Sequence, residues 1–343
     1  MGAMHIYKNT GQSHIRDRRG VHRSMPLSST SDLELELDGE VLSLDRSTPR
    51  ADVTFVSHAH MDHVPRRRSA PVLASPLTFD VMRARTGRDH VPAERTRFGP
   101  YTCRFLSSSH APGATMLHVE GDGLALTFTG DYCDQENAFG VSPEHVACDV
   151  LVMDSTYGDP RHRFPRREDV RADIVRWVKR VTREMHGSVV FGAYTFGKAQ
   201  ELVRILTEET GVPVLVHEDI AQLNALCERH GVSVGDAVSA SSPEGQEAAM
   251  DTFVLVTPPR TLDAARAAYA RLTHRPVVTA LVTGWGSRRH RCFPLSNHAD
   301  FQGLMNLVAA TSPRHVYTVH GSNKRLAKAV ADRFGIETTP LGR

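Results

Sequence analysis

Four residues able to bind a metal ion or move a proton stand within six positions of one another: His58, His60, Asp62 and His63. They follow Val53-Thr-Phe-Val56, an apolar β-branched run that reads as a short buried strand. A helical zinc motif would place two His at i and i+4. His58 and His60 are two apart, so they fit a strand end or loop instead. Three imidazoles and a carboxylate crowded there repel one another if charged, and lack partners if neutral and buried. A divalent cation removes both problems, because neutral His and ionised Asp are its natural ligands. The bland alternative is a solvated, His-rich loop.

Other polar residues repeat the placement. His110 lies in Ser107-Ser-Ser-His-Ala-Pro-Gly113, after a strand signal at 101–106. Asp131 follows Leu124 to Gly130, a strand closed by glycine. Asp154-Ser-Thr follows Val150-Leu-Val-Met153, and a helix cap would explain it equally well. His320 ends the run His315-Val-Tyr-Thr-Val319, and His298-Ala-Asp300 precedes a helix at about 301–311. Singly, such residues are ordinary turn formers. Together they complete the set begun at His58.

The elements that must position them divide in texture. Leu33 to Leu37 and Val41 to Leu44 read as a hairpin turning at Gly39, with Asp45 at its end. Strand signals recur near 72–74, 101–106, 115–119 and 124–129, with one helix at about 76–85. From about 165, strands near 188–194, 212–216, 252–256 and 277–282 alternate with helices at 168–185, 199–209, 218–229 and 261–272. That alternation implies a parallel sheet covered by helices. Gly197-Lys198 at a helix start could hold a phosphate on backbone N–H groups, though a tight turn explains it as well.

A chain of 343 residues is long enough for two domains. Its apolar runs are strand-sized, so no membrane span is expected. Residues 1–25 are polar and basic without an apolar centre, and read as a disordered tail, native or added. Five scattered cysteines without a CxxC pair point to a reducing compartment, the cytoplasm, and away from a cysteine-based zinc site. The net charge of +2 gives no global argument for nucleic acid. Local clusters do exist at Arg66–Arg68, Arg161–Arg167 and Arg288-Arg289-His290-Arg291.

With these residues in view, the chain resembles the metallo-β-lactamase superfamily. His58-Ala-His-Met-Asp-His63, His110 and Asp131 follow its metal-site pattern. Asp154-Ser-Thr-Tyr-Gly158, Leu295-Ser-Asn-His298-Ala-Asp300 and His320-Gly321 resemble the extra motifs of its β-CASP nuclease branch. Phe196-Gly-Lys-Ala-Gln-Glu201 is similar to a helix start in that branch's inserted domain. Gly284-Trp285 before a basic stretch is most similar to prokaryotic exonucleases, including DNA-ligase-associated ones.

The resemblance implies a mixed α/β fold: a four-layer αββα body over 26–160 and 281–343, with an α/β β-CASP domain inserted over 161–280. It implies two divalent ions, zinc first, with manganese or iron as alternatives. One ion would be held by His58, His60 and His110, the other by Asp62, His63 and His320, with Asp131 bridging. Such a pair activates water and stabilises charge on a phosphodiester. Asp62, His298 and Asp154 would serve catalysis, His298 stabilising or protonating the leaving oxygen under Asp154's orientation. Asp45 would orient the His cluster. Lys198, Arg288, Arg289 and Ser296 would touch substrate.

The expected function is a metal-dependent exonuclease on DNA, in repair, with a ligase as a conceivable partner. Its rival is an RNA-processing nuclease, of the mRNA 3′-end or ribonuclease J kind. Small-molecule hydrolysis is a third class, but such enzymes lack the insert and the motifs at Asp154 and His298. A non-catalytic scaffold would have lost ligands, and all seven are here. Sequence leaves the oligomeric state open.

Overall fold

A computed structural model describes residues 33–65 and 70–341, together with the backbone of an antiparallel pair, β1 (His14–Arg16) and β2 (His22–Ser24). That pair corrects the expectation of an unstructured stretch over 1–25. The rest of that stretch, and the Arg66–Arg68 cluster, lie outside the described residues. The chain divides into two compact units. The first comprises residues 1–135, 142–163 and 298–343, and the second 136–141 and 164–297.

In the first unit, β3 (Glu34–Leu37), β4 (Glu40–Leu44), β5 (Val53–Phe55) and β6 (Val72–Leu73) form one sheet in that order. Helix α1 (Pro76–Thr86) starts on Ser75, whose hydroxyl accepts from Thr78 N, and ends at Gly87 in the left-handed region. The second sheet uses β7 (Arg97–Phe98), β8 (Tyr101–Ser107), β9 (Thr115–Gly121), β10 (Leu124–Phe128) and β11 (Val150–Asp154).

The second unit follows as α2 (Arg167–Lys179), β12 (Ser188–Gly192), α3 (Lys198–Glu209), β13 (Val214–Val216), α4 (Glu218–Arg229), β14 (Ala237–Ser239), α5 (Pro243–Ala248), β15 (Val254–Thr257), α6 (Leu262–Thr273), β16 (Val277–Val282) and β17 (Arg291–Phe293). The chain then returns to the first unit with α7 (Phe301–Thr311), β18 (His315–Val319), α8 (Asn323–Phe334) and β19 (Glu337–Pro340). The first unit's larger sheet runs β19-β18-β11-β10-β9-β8-β7.

Alternation along β11 explains the layers. Val150 and Val152 pack with Leu42, Val53 and Phe55 of the smaller sheet. Leu151 and Met153 face the other way, against Leu304, Val308 and Leu326 of α7 and α8. Helix α1 closes the far side through Met82 on Val56 and Val72. The order is therefore helix, sheet, sheet, helix, the expected four layers. Strands β10, β11, β18 and β19 are parallel, and β8 runs with them because two antiparallel pairings separate it from β10. Their carboxyl ends thus lie at one end of the unit.

The second unit is a six-stranded parallel sheet, β14-β13-β15-β12-β16-β17, as the alternating pattern predicts. The expected return at 281 is corrected. Ala280–Val282 pairs with Arg291–Phe293, so residues 281–297 stay with this sheet. Helices α5 and α8 and strands β7, β14, β17 and β19 had no counterpart in the sequence reading. Among the described residues no helix is long and apolar enough to cross a membrane.

Candidate metal centre

Strand ends of the first unit bring the His and Asp residues together. β5 delivers Ser57 to His63, β8 delivers His110, β10 delivers Asp131 and β11 ends on Asp154. His298 precedes α7, which Asp300 caps by accepting from Gly303 N. Gly130, at φ +52°, permits the approach: a Cβ there would lie 2.4 Å from the Ser57 Cβ.

Asp131 is the centre. Its Oδ2 lies 3.3 Å from His58 Nε2, 3.4 Å from His110 Nε2 and 3.7 Å from His298 Nε2. Its Oδ1 lies 3.4 Å from His63 Nε2. His60 Nδ1 is 3.2 Å from His110 Nε2. His58, His60, His110 and Asp131 can each aim one ligand atom into a space where all four lie within 4.8 Å of one another. Asp131, Asp154 and His298 form a second such group. The ring of His320, a residue at φ +64°, stands 5.4 Å from that of His63. Asp62 lies at the exposed rim, its Oδ2 3.8 Å from His63 Nε2.

The hydrogen-bond network behind these atoms fixes where their protons are. Ser57 Oγ donates its single hydrogen to Asp45 Oδ2 at 2.9 Å. His58 Nδ1, also 2.9 Å from Ser57 Oγ, must therefore be the donor to it. That leaves His58 Nε2 as a bare lone pair. It is fully buried, finds no hydrogen-bond partner, and faces a carboxylate oxygen that has no proton to offer. His63 Nδ1 likewise donates to Asp45 Oδ2 at 2.8 Å. Asp45 Oδ1 accepts from Ser57 N at 2.7 Å, so one buried carboxylate orients two rings.

The electrostatics agree. Burial, then the nearby His63, lowers the His58 pKa. Burial holds His110 well below the usual histidine value. Burial also opposes charge on His63, but Asp131 and Asp45 outweigh it and raise its pKa to about 10. Burial opposes charge on Asp131 too, yet His63 and His298 hold its carboxyl well below the usual range. Without a cation, a proton on His63 supplies the positive charge that Asp131 demands. The donor set of imidazole and carboxylate, with an orphaned buried nitrogen, fits a divalent metal ion.

Asp154 sits behind His298. Its Oδ2 accepts from His298 Nδ1 at 2.8 Å, while its Oδ1 accepts from Thr156 N at 2.8 Å and Thr156 Oγ1 at 2.7 Å. The cap reading of Asp154 thus gives way to a His-holding one. Ser57 and Thr156 went unread as site residues, though each stands within two positions of a residue singled out for chemistry.

The four residues expected to touch substrate belong to the second unit, and two of them are buried. Lys198 is buried and its Nζ donates to Leu295 O at 3.1 Å. Ser296 is buried and its carbonyl accepts from Arg167. The helix-start lysine is drawn inward by a backbone carbonyl that needs a donor. Arg288 and Arg289 are exposed, and Arg289 Nη2 lies 3.1 Å from Asp263 Oδ2.

Residues 289–339 match the family profile described as "Zn-dependent metallo-hydrolase RNA specificity domain". A protein from Opitutus terrae named "Probable DNA ligase" is 31% identical over 309 residues, which cover 84% of this chain and 28% of that protein. "5' exonuclease Apollo" from Danio rerio is 25% identical over 299 residues, 78% of this chain and 48% of that protein. The chain thus spans about a quarter to a half of the length of these relatives. A crystal structure of a protein of unknown function from Enterococcus faecalis V583 superposes with a TM-score of 0.60 at 16% identity, covering 85% of this chain and 79% of the other, which is a likeness of fold.

Proposed function

Because the chain belongs to the metallo-β-lactamase/β-CASP family, we propose that it is a metal-dependent exonuclease that hydrolyses DNA in repair. The observation that carries this reading is the convergence of imidazole nitrogens on Asp131, with His58 Nε2 buried and partnerless. His58, His60 and His110 would hold one divalent ion, and Asp62, His63 and His320 a second. Asp131 would lie between them, since its Oδ2 faces the first set and its Oδ1 faces His63. Zinc suits an imidazole-rich site best, and manganese or iron would fit the same donors. When bound, the ions would ease deprotonation of an attacking water and neutralise charge on the phosphodiester.

The chain's own residues do the rest. Asp154, fixed by Thr156, accepts a hydrogen bond from His298 Nδ1 and locks the ring's orientation. His298 Nε2 is then directed toward the Asp131 side, where it can carry a proton to the leaving oxygen. Ser57 and Asp45 hold the His58 and His63 tautomers that turn Nε2 inward.

The names of the two relatives, a probable DNA ligase and a 5′ exonuclease, support DNA as substrate and a ligase as partner. Five scattered cysteines without a CxxC pair suit a reducing compartment, here the cytoplasm. A second reading, RNA processing, is favoured by the RNA-specificity description of the profile matched at 289–339. The deciding experiment is a time course on matched end-labelled single-stranded DNA and RNA with zinc or manganese, with Asp131→Ala as control. Mononucleotides released from DNA, with RNA spared, are expected. Preferential RNA cleavage would move the same site to RNA processing, and an active Asp131→Ala protein would sink the mechanism.

A further inference from the structure

Open parallel sheets bind ligands beyond the carboxyl ends of their strands. In the second unit that edge carries two aromatic side chains the core does not use. Tyr194, 59% exposed, follows β12, and Trp285, 51% exposed, follows β16. These strands are hydrogen-bonded neighbours, with Gly192 opposite Leu281, so their backbones lie about 5 Å apart. The chain's other tryptophan, Trp177, packs its ring 5.6 Å from Phe191 and 5.4 Å from Phe293.

Both loops are fixed. Gln200 closes the first, its Oε1 accepting from Gly197 N at 2.7 Å and its Nε2 donating to Thr195 O at 3.1 Å. Tyr194 O accepts from Ala199 N at 3.1 Å. In the second loop, Trp285 N donates to Thr283 Oγ1 at 3.1 Å, and Thr283 N donates to Phe293 O at 3.0 Å. Exposed rings on a rigid backbone lose little conformational entropy when something stacks on them.

The surrounding charge names the occupant. Arg260 follows β15, the other neighbour of β12, and Arg288 and Arg289 follow Trp285; all three are exposed. Arg260 and Arg289 rest against Asp219 and Asp263 in exposed pairs, which exchange readily for another anion. Aromatic faces between exposed guanidinium groups suit a ligand with flat rings on a phosphate chain. A duplex hides its base faces, whereas a single strand offers them. We propose that Tyr194 and Trp285 form a stacking platform for the bases of single-stranded nucleic acid.

This rests on the nucleic-acid reading above, and the test separates the two. Fluorescence anisotropy would follow binding of the full chain to a short labelled oligo(dT), the matching oligo(U), a duplex, and an abasic strand of equal length. Tyr194→Ala and Trp285→Ala are each expected to weaken oligo(dT) binding about ten-fold. Trp285→Phe, which keeps a ring, should stay close to wild type while losing the tryptophan quenching that accompanies binding. The abasic strand and the duplex should bind wild type as weakly as oligo(dT) binds the alanine variants. Alanine variants that bind oligo(dT) like wild type, or an abasic strand that binds like oligo(dT), would overturn the platform and leave the nucleic-acid reading standing. Wild type that binds no strand at all would overturn both.

Discussion

Each unit buries a cluster of charged and polar side chains, and the two clusters are solved in opposite ways. In the second unit Glu201 is 2% exposed, yet its carboxylate is answered from inside the chain. Arg167 meets one oxygen, Ala138 N donates to the same oxygen at 3.1 Å, and Asn297 Nδ2 donates to the other at 2.9 Å. The cluster carries its own permanent cation. In the first unit Asp131 is 6% exposed and is faced by imidazole nitrogens, one of which cannot donate. Burial alone does not mark a functional carboxylate. What marks it is that it is faced by imidazoles, one of them a bare lone pair, rather than by a fixed cation, so its compensating charge has to be taken up, as a proton on His63 or as a metal ion.

The largest expected effects put that contrast to the test. Asp131→Ala should cut hydrolysis by about 10³-fold or more, because it removes the acceptor common to both ligand sets. Glu201→Ala should leave bound metal unchanged. It should instead cost about 3–5 kcal/mol of stability by stranding the buried Arg167 guanidinium, a fall in Tm of roughly 10 °C or more. Metal analysis and thermal unfolding of the two variants check both halves. If Glu201→Ala lost metal without losing stability, the division between a self-sufficient and a ligand-demanding cluster would collapse.

A smaller effect sharpens the first half. Asp45→Asn presents an amide N–H₂ where Ser57 Oγ and His63 Nδ1 now donate. The proton assignments would reverse, and a proton rather than a lone pair would sit on His58 Nε2, facing Asp131. A 10–100-fold weaker metal affinity is expected, measured by competition with a chelator. Unchanged affinity would mean that ring position alone, without tautomer control, makes the site.

The same distinction explains what the sequence could reveal. The ligand-demanding cluster was legible because its residues are polar where a buried strand should end, and four of them crowd close after one strand: His58, His60, Asp62 and His63. The four layers came only from the resemblance, since Val150-Leu-Val-Met153 is apolar throughout and does not tell its two faces apart. The self-sufficient cluster was not legible. Lys198 looked like a phosphate ligand because nothing local shows that Leu295 O, 97 positions on, takes its Nζ. Ser57 went unread because its meaning lies in Asp45, 12 positions back across the sheet. The unit boundary was missed because β17 is only three residues long, follows a Gly-Trp-Gly loop, and reveals itself only by pairing with β16.

The smallest effect is a pH dependence that the two clusters should not share. In the cation-free protein His63 has its pKa raised to about 10, above the ordinary histidine value of 6.5. A raised folded-state pKa means that the protonated ring stabilises the fold. That stability is fully present below about pH 6.5 and is lost as pH rises through about 10. Bound metal takes over the charge, so loading the site at neutral pH should release a proton from His63. Calorimetric metal titrations in two buffers of different ionisation enthalpy would count it, with about one proton expected. Cation-free protein should also lose a few degrees of Tm between about pH 7 and pH 10 relative to metal-loaded protein. The Arg167–Glu201 cluster offers no such loss, since a guanidinium keeps its charge throughout that range. Metal uptake without proton release would mean that His63 already presents a bare nitrogen, and that Asp131 is answered in the empty site by some group other than its nearest imidazole.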